Sequence, residues 1–431
     1  MDDRRTLTPA LLGLVWSAMF GFSGFFLSYS TMVSIGAIGG LATVTGGAVL
    51  TTMMIGVIAV QPFAPWLGAR LGLRSALLVA LGLQVLGQVC GLIVTQPLLS
   101  LVLAGVFGGM GFGLFVVLAN AAVPGTVAPR RLGKALGIFG GITSLAAALG
   151  APFGLWLIGV VPVWSFRLIA CGTLLLAAPT IIRFLPGRVP VPPPGAERDG
   201  LPGTHRAVDA DAQASGHDAG ARGSGADVGA RGSGPDAGRE VSSQGRHRLS
   251  EILPLLTMLA PFLIGMVTFG LIVGFGPGEG IATPAIYIGI MQVFSVIGRF
   301  AAGAVADARS PLGLNLAGVG LAACGFIVTA ITGGGVVLGL AMAVVGLGLG
   351  TLQSASLVMA FTAVSTPARA SVAWNMSFDI GLGIAGVIGG VGFTYLGDTV
   401  TFLLCAGILL LAGLVSWIVA ARRAGTSGGR D

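Results

Sequence analysis

From Leu7 to Ala421 the chain is a succession of long runs of apolar and small residues, broken by short polar or glycine-rich connections. Twelve runs can be read, over 8–30, 43–66, 74–95, 98–121, 134–158, 164–184, 252–275, 284–306, 312–332, 335–361, 371–395 and 399–420. Each is long enough for the roughly 20 residues with which a helix crosses a bilayer. Lipid offers no partner to backbone N–H and C=O groups, so helices are the expected form of each run. The pattern predicts an all-α integral membrane protein with twelve transmembrane helices.

The basic residues divide the connections into two kinds. Arg4 and Arg5 precede span 1, Arg70 and Arg74 lie between spans 2 and 3, and Arg130, Arg131 and Lys134 between spans 4 and 5. Arg183 and Arg188 follow span 6, Arg309 follows span 8, Arg369 follows span 10, and Arg422 and Arg423 follow span 12. The alternate connections, around 31–42, 96–97, 159–163, 276–283, 333–334 and 396–398, carry no Lys or Arg. Positive charge marks the cytoplasmic side, so both termini are expected in the cytoplasm and an even number of spans follows independently. The N-terminal "MDDRRTLTP" has no short apolar stretch ending in a small-residue cleavage site, so the first span is expected to stay.

The segment from Pro186 to Ser250 is different material. It opens with "PGRVPVPPPGAERDG" and continues in Gly, Ala, Ser, Asp and Arg with almost no large apolar residue. Such a segment cannot bury a core and is expected to be a disordered cytoplasmic linker. The expected organisation is a six-helix bundle over 1–185, the linker over 186–250 and a second six-helix bundle over 251–431. The halves look like copies: Gly109, Gly111 and Gly113 of span 4 recur as Gly346, Gly348 and Gly350 of span 10, at an offset of 237. Gly150 and Gly154 of span 5 recur as Gly386 and Gly390 of span 11, at an offset of 236. Two pseudo-symmetric six-helix bundles related by a parallel repeat are a transporter architecture, with the substrate at their interface near the midplane.

Composition agrees: 54% of the residues are hydrophobic, 9% are charged, and the mean hydropathy is +0.94. A net charge of +7 spread over many short connections reflects topology rather than a nucleic-acid surface. Cys90, Cys171, Cys324 and Cys405 have neither metal-ligand spacing nor a disulfide pattern and read as small core residues. No nucleophile–base set, metal cluster or phosphate loop stands out, so neither an enzyme nor a cofactor is expected.

Acids are scarce. None occurs from Arg4 to Ala196, and all three histidines lie in the linker. Beyond the linker remain Glu251 at the start of span 7, Glu279 and Asp398 on connections, Asp307 at the end of span 8, and Asp379. Asp379 sits in "SVAWNMSFDIGLGIAGVIGG", about 14 Å from the helix start at 1.5 Å per residue, near the middle of a roughly 30 Å core. Arg299 lies about 12 Å in from the same side on span 8. Isolated ions at such depth are expensive, so the two are expected either to pair or to share the central cavity. A static buried pair would fix packing. A functional pair would have Asp379 exchange Arg299 for a proton as the halves rock, because burial opposes its charge and a guanidinium favours it. Arg167, near the outer end of span 6, is expected to snorkel to the interface.

Particular motifs resemble the major facilitator superfamily. "GRFAAGAVADARSPLG" after span 8 places Gly303, Asp307, Arg309 and Gly313 close to that family's G-x-x-x-D-R-x-G turn, with Arg309 one place late. "PWLGARLGLRSALL" after span 2 keeps Arg70, Gly72 and Arg74 but has Ala69 where the motif has aspartate. "LGAPFG" in span 5 resembles the Gly-Pro motif of exporters, and "FDIGLGIAG" in span 11 is most similar to bacterial arabinose-efflux and drug-efflux permeases. The resemblance implies a cytoplasmic latch between the halves, assigned here to Asp307, Gly303, Arg309, Arg70 and Arg74. It also implies a cavity lined by spans 1, 4, 7 and 10. Those spans offer Trp16, Phe20, Phe25, Tyr29, Asn120, Thr268, Phe275, Gln353 and Ser356, and Asn375 of span 11 joins them as a candidate. Gln61 falls opposite Arg299 under the repeat and could hydrogen-bond in the cavity or relieve the kink at Pro62. The span-4 arginine of drug:proton antiporters has no counterpart, its place being Gly105. Arg299-x-x-x-Gly303 also resembles the span-8 arginine of monocarboxylate and oxalate-type carriers, which holds an anionic substrate.

These readings converge on a secondary transporter of the plasma membrane working by alternating access, a proton-coupled exporter of a small amphipathic molecule or drug. The expected partners are that substrate, protons and the lipid bilayer, with the chain a monomer. The alternatives are an organic-anion carrier using Arg299 and a non-transporting membrane scaffold.

Overall fold

The structure, a computed structural model, describes residues 8–127, 132–185, 258–305, 309–363 and 367–427. Among them, twelve helices are long and apolar enough to cross a membrane. They are α1 (Pro9–Ile38), α2 (Thr43–Leu71), α3 (Leu73–Ile93), α4 (Pro97–Thr126), α5 (Ile138–Val160) and α6 (Val163–Phe184), then α7 (Met258–Phe275), α8 (Pro284–Gly303), α9 (Pro311–Ala330), α10 (Gly335–Ala360), α11 (Val372–Tyr395) and α12 (Gly397–Arg422). No strand occurs among the described residues. The expected linker over 186–250, Asp307, Glu251, Arg130 and Arg131 lie outside the described residues.

The helix ends follow from local chemistry. Three helices begin with a polar residue followed by proline: Thr8-Pro9, Gln96-Pro97 and Ser310-Pro311. In each pair the first side chain accepts a backbone N–H that the first turn leaves free, and proline sits where no donor is needed. Helix α1 runs eight residues past its expected end, because "TMVSIGAI" stays apolar until Gly39 and Gly40, the latter at φ +78°. Helix α2 also continues further than expected. Pro62 interrupts it only by one 3-10 turn over Gln61–Phe63, and the helix resumes to Leu71. The reversal into α3 is made by one residue, Gly72, at φ +79°, a conformation in which a side chain would be strained.

Alternating helix direction gives the molecule an arginine-bearing face, with Arg70, Arg74 and Arg309, and an arginine-free face with the connections at 39–42, 94–96 and 276–283. Close packing relies on the glycines that revealed the repeat. A Cβ on Gly109 or Gly113 of α4 would meet the carbonyl oxygen of Met53 or Val57 on α2. In the second half, Gly346 and Gly350 of α10 stand in the same way against Met291 and Ser295 of α8. Partners and glycines therefore repeat together. The glycines of α5 and α11 do not follow this rule: Gly150 and Gly154 press on Ser23 and Leu27 of α1, whereas Gly386 and Gly390 press on α2 of the opposite half, around Gly47.

The α2–α11 contact joins the two halves on the arginine-free side. Thr51 Oγ1 donates to the Gly383 carbonyl oxygen at 2.8 Å, and nearby Tyr29 Oη donates to that of Leu382 at 3.1 Å. Cys171 and Cys405 are buried, as expected of core residues, and Cys90 is half-buried. Cys324 departs from that expectation and lies exposed on α9, on a face that no other described helix covers.

Candidate functional site

Residues of both halves line a cavity of about 550 Å³. Its walls are helical faces. On α8, Gln292, Ser295, Arg299 and Phe300 fall three, four and one residues apart and line one stripe. On α11, Trp374, Asn375, Phe378 and Asp379 do the same, and α5 brings Thr143, Ser144 and Ala147. Helices α1, α4, α7 and α10 supply Phe22, Phe26, Phe112, Asn120, Phe269 and Gln353, among others.

Arg299 and Asp379 are the only charged side chains among the described lining residues. They share the cavity, the second of the two expected arrangements, and do not form an ion pair. Each is held instead by a neutral group from the opposite half. Gln61 Nε2 donates to Asp379 Oδ2 at 2.6 Å, and Arg299 Nη1 donates to Ser144 Oγ at 2.6 Å. Ser144 Oγ donates in turn to the Gly140 carbonyl oxygen at 2.8 Å, and Ser354 Oγ donates to the Arg299 carbonyl oxygen at 3.0 Å. Gln292 reaches from α8 to the Ala147 carbonyl at 3.4 Å. Two polar clasps thus cross between the halves, one joining α2 to α11 and the other α8 to α5, at positions related by the repeat.

Gln61 stands at the 3-10 turn where Pro62 interrupts α2. Its side chain hydrogen-bonds to a cavity residue, the first of the two roles weighed for it. An amide can donate to a carboxylate through its NH₂ and accept from a carboxylic acid through its oxygen. Gln61 can therefore partner Asp379 in either protonation state.

The other sequence candidates separate by position. Asn120, Gln353 and Asn375 line the cavity. Trp16 is 52% exposed on the outside of α1, stacked on Phe20 with ring centroids 5.9 Å apart, and neither lines the cavity. Tyr29 is buried in the contact between the halves, and Thr268 is buried with its hydroxyl on the Gly265 carbonyl. Phe25 stacks behind Phe112, Phe275 stacks on Phe393, and Ser356 accepts from the Trp374 indole N–H at 3.0 Å. Of the latch candidates, Arg74 Nε donates to the Leu185 carbonyl at 2.9 Å, and Arg70 lies over the Trp66 ring at 5.2 Å. Both contacts stay within the first half. Gly303 and Arg309 are exposed, and Asp307 lies outside the described residues.

Ser144, Gln292, Ser295 and Trp374 are not among the sequence candidates for the cavity, which take only Arg299 from span 8, only Asp379 and Asn375 from span 11, and none from span 5. The spacing of Gln292, Ser295 and Arg299 on one helical face was the signal available.

Arg167 corrects an expectation. It does not snorkel but is 2% exposed, directed inward against α3. Its Nη1 donates to Gln88 Oε1 at 3.2 Å, and Gln88 Nε2 donates to Ser28 Oγ at 2.7 Å. Gly91 leaves the space that the guanidinium fills. Its Nε and Nη2 have no hydrogen-bond partner. Lipid-facing helices give a stem a path to the interface, and the neighbours α1 and α3 remove that path.

Among the described residues no group of three or more His, Cys, Asp or Glu could hold a metal ion.

The sequence profile described as the Major Facilitator Superfamily matches residues 11–381. A comparison with curated protein sequences returned no match. Among solved structures, a POT family transporter in complex with 5-aminolevulinic acid is similar at 13% identity, with 96% of each chain covered and a TM-score of 0.70. The peptide transporter POT, as a point mutant, is similar at 15% identity over 96% of this chain and 94% of that one, with a TM-score of 0.67. A mutant of the nucleoside transporter NupG is similar at 13% identity over 95% of this chain and 99% of that one, with a TM-score of 0.65. At such identities the likeness establishes the fold.

Proposed function

Because this chain belongs to the Major Facilitator Superfamily, we propose that it is a secondary transporter that exports a small amphipathic organic molecule in exchange for protons, with Asp379 as the coupling group. The observation that carries this reading is the clasp between Asp379 and Gln61. It places a carboxylate in the central cavity, bonded across the two halves to a partner that tolerates both of its protonation states. Rocking of the halves must break that clasp, and the bond is stronger to a carboxylate than to a carboxylic acid, so proton occupancy biases conformation through the difference. The apolar and aromatic lining, with a few placed polar groups, suits an amphipathic molecule better than a sugar.

The basic connections orient the molecule with both termini in the cytoplasm of a cell bounded by its plasma membrane. In that orientation the cavity faces the cytoplasm and the α2–α11 contact seals the outside. The halves are 1–185 and 251–431, joined by a flexible linker over 186–250, and the chain works as a monomer. Asp307, Gly303, Arg309, Arg70 and Arg74 would form the latch that closes the cytoplasmic side in the opposite state.

The test uses inverted vesicles with an imposed pH gradient and a pH-sensitive dye, challenged with lipophilic cations, neutral drugs, sugars and small carboxylates. Substrate-triggered proton flux is expected in the wild type and a loss of at least tenfold in Asp379→Asn. Flux that survives the substitution would remove Asp379 from the coupling step. A second reading, an organic-anion carrier, is favoured by one observation: Arg299 is not neutralised by Asp379. It requires that Arg299→Gln abolish transport of a carboxylate and spare a cation.

A further inference from the structure

Both readings leave one charge of the cavity without a task. A carrier of protons and neutral or cationic drugs would place Arg299 against its own substrate. A carrier of anions would meet repulsion from ionised Asp379. Ions in the interior of a membrane protein are costly unless paired, and pairing the two with each other would be the simplest remedy. The structure holds them apart, each on a neutral hydrogen-bond partner anchored in the other half.

We infer that the cavity binds a zwitterion: its cationic group meets Asp379, its anionic group meets Arg299, and its apolar body lies against Phe22, Phe112, Phe269, Trp374 and Phe378. The inference rests on the transporter reading above and names the substrate class of that site. A molecule bearing both charges is the one class that leaves neither side chain opposed or unpaired. The volume of about 550 Å³ falls in the range of small-molecule sites. Guanidinium presents a planar set of donors to a carboxylate or phosphate, and Ser144 occupies one of them at Nη1, leaving others for the ligand. On α11, Asn375 lies one turn from Asp379 on the same wall.

The site also sets a competition. A proton on Asp379 removes the charge that holds the cationic group, so arrival of the ligand releases that proton to cavity water, and protonation releases the ligand. The groups that govern this exchange are Gln61 on α2, Arg299 on α8 and Asp379 itself. No other Asp, Glu, His, Lys or Arg lines the cavity among the described residues.

The experiment measures binding to the purified full-length protein by ligand-induced thermal stabilisation and by tracer competition. The probes are matched sets built on phenylalanine, 4-(aminomethyl)benzoate and 6-aminohexanoate, which span a range of charge separations. Each set contains the zwitterion, its methyl ester (cation), its N-acetyl derivative (anion) and the N-acetyl ester (neutral). In at least one set the wild type is expected to bind the zwitterion about tenfold more tightly than any other member. Asp379→Asn should then bind zwitterion and anion alike, and Arg299→Gln should bind zwitterion and cation alike. Asp379→Glu and Arg299→Lys should restore part of the preference, which a merely structural role would not do.

A wild type that prefers a singly charged or neutral member in every set, or binds no zwitterion, overturns the inference. So does an equal loss for all four probes in properly folded variants. If the pH-gradient assay shows Asp379-dependent flux without any zwitterion preference, the coupling reading stands and this inference falls. If the preference is found and flux ignores Asp379→Asn, the coupling reading falls and this one stands.

Discussion

Asp379, Arg299 and Arg167 are three charges inside apolar helices, and their surroundings differ. Asp379 and Arg299 open on a cavity that a ligand can enter, whereas Arg167 is enclosed by protein, with Gln88 on one nitrogen and no partner on two others. Residues 5–196 contain no Asp or Glu, so the helices of the first half offer no carboxylate to balance it. Each unsatisfied buried donor costs about 1–3 kcal/mol. Replacing the side chain by an apolar one of similar length removes that cost and forfeits one bond to Gln88. Arg167→Met is therefore expected to leave the melting temperature within about 2 °C of wild type or to raise it. A fall well beyond that in a thermal-shift measurement would mean that the guanidinium has a partner. At this scale the sequence was partly legible. Asp379 and Arg299 declare themselves as ions in apolar runs, and counting residues gives their depth. Counting cannot give azimuth, which is why Arg167 was assigned outward and Trp16 inward.

Helices carry their information in glycine. The repeated contacts of Gly109 and Gly113 on α2, and of Gly346 and Gly350 on α8, were foreshadowed by matched offsets, because a residue without a Cβ marks where another backbone approaches. What remained hidden was the choice of partner for Gly386 and Gly390, since matched glycine offsets do not say which helix stands opposite. A Cβ at Gly386 would meet the Gly47 carbonyl and Thr51, and no flexible side-chain end is there to give way. Overpacking of this kind costs about 1–3 kcal/mol, and only while α2 and α11 are together. Gly386→Ala should therefore shift the population toward a state open on the arginine-free face, by roughly fivefold to 150-fold. A cysteine placed at Leu50, buried beside that contact, reports the shift through its labelling by an impermeant maleimide. Faster labelling in the glycine variant is the expected result. Unchanged or slower labelling would mean that the α2–α11 contact does not close that face.

For the whole molecule, the twelve helices were legible because bilayer thickness imposes a length that few other constraints imitate. The cavity was less so. Its walls come from α5, α8 and α11 as well as from the four helices that the family resemblance implied, and a helix wheel cannot tell which stripe faces an opposite half. Gln61 lies between these extremes: the repeat placed it at the level of Arg299, and the structure shows it bonded to Asp379.

Under the proposed exchange of a zwitterion for a proton, the charges of Asp379 and Arg299 in the cavity sum to zero whenever Asp379 is ionised, and that sum has an electrical consequence. A carrier with Asp379 ionised and a zwitterion aboard crosses the membrane without moving net charge. With Asp379 protonated and the ligand gone, Arg299 remains uncompensated and the carrier crosses bearing one positive charge. The membrane voltage then acts on the proton-bearing crossing alone, with about 2.3 kcal/mol per 100 mV for a charge moved through the full field. A potassium-diffusion potential imposed at equal pH on both sides should drive substrate as a pH gradient does, and vesicles that ignore it would show that compensating charge travels with the proton.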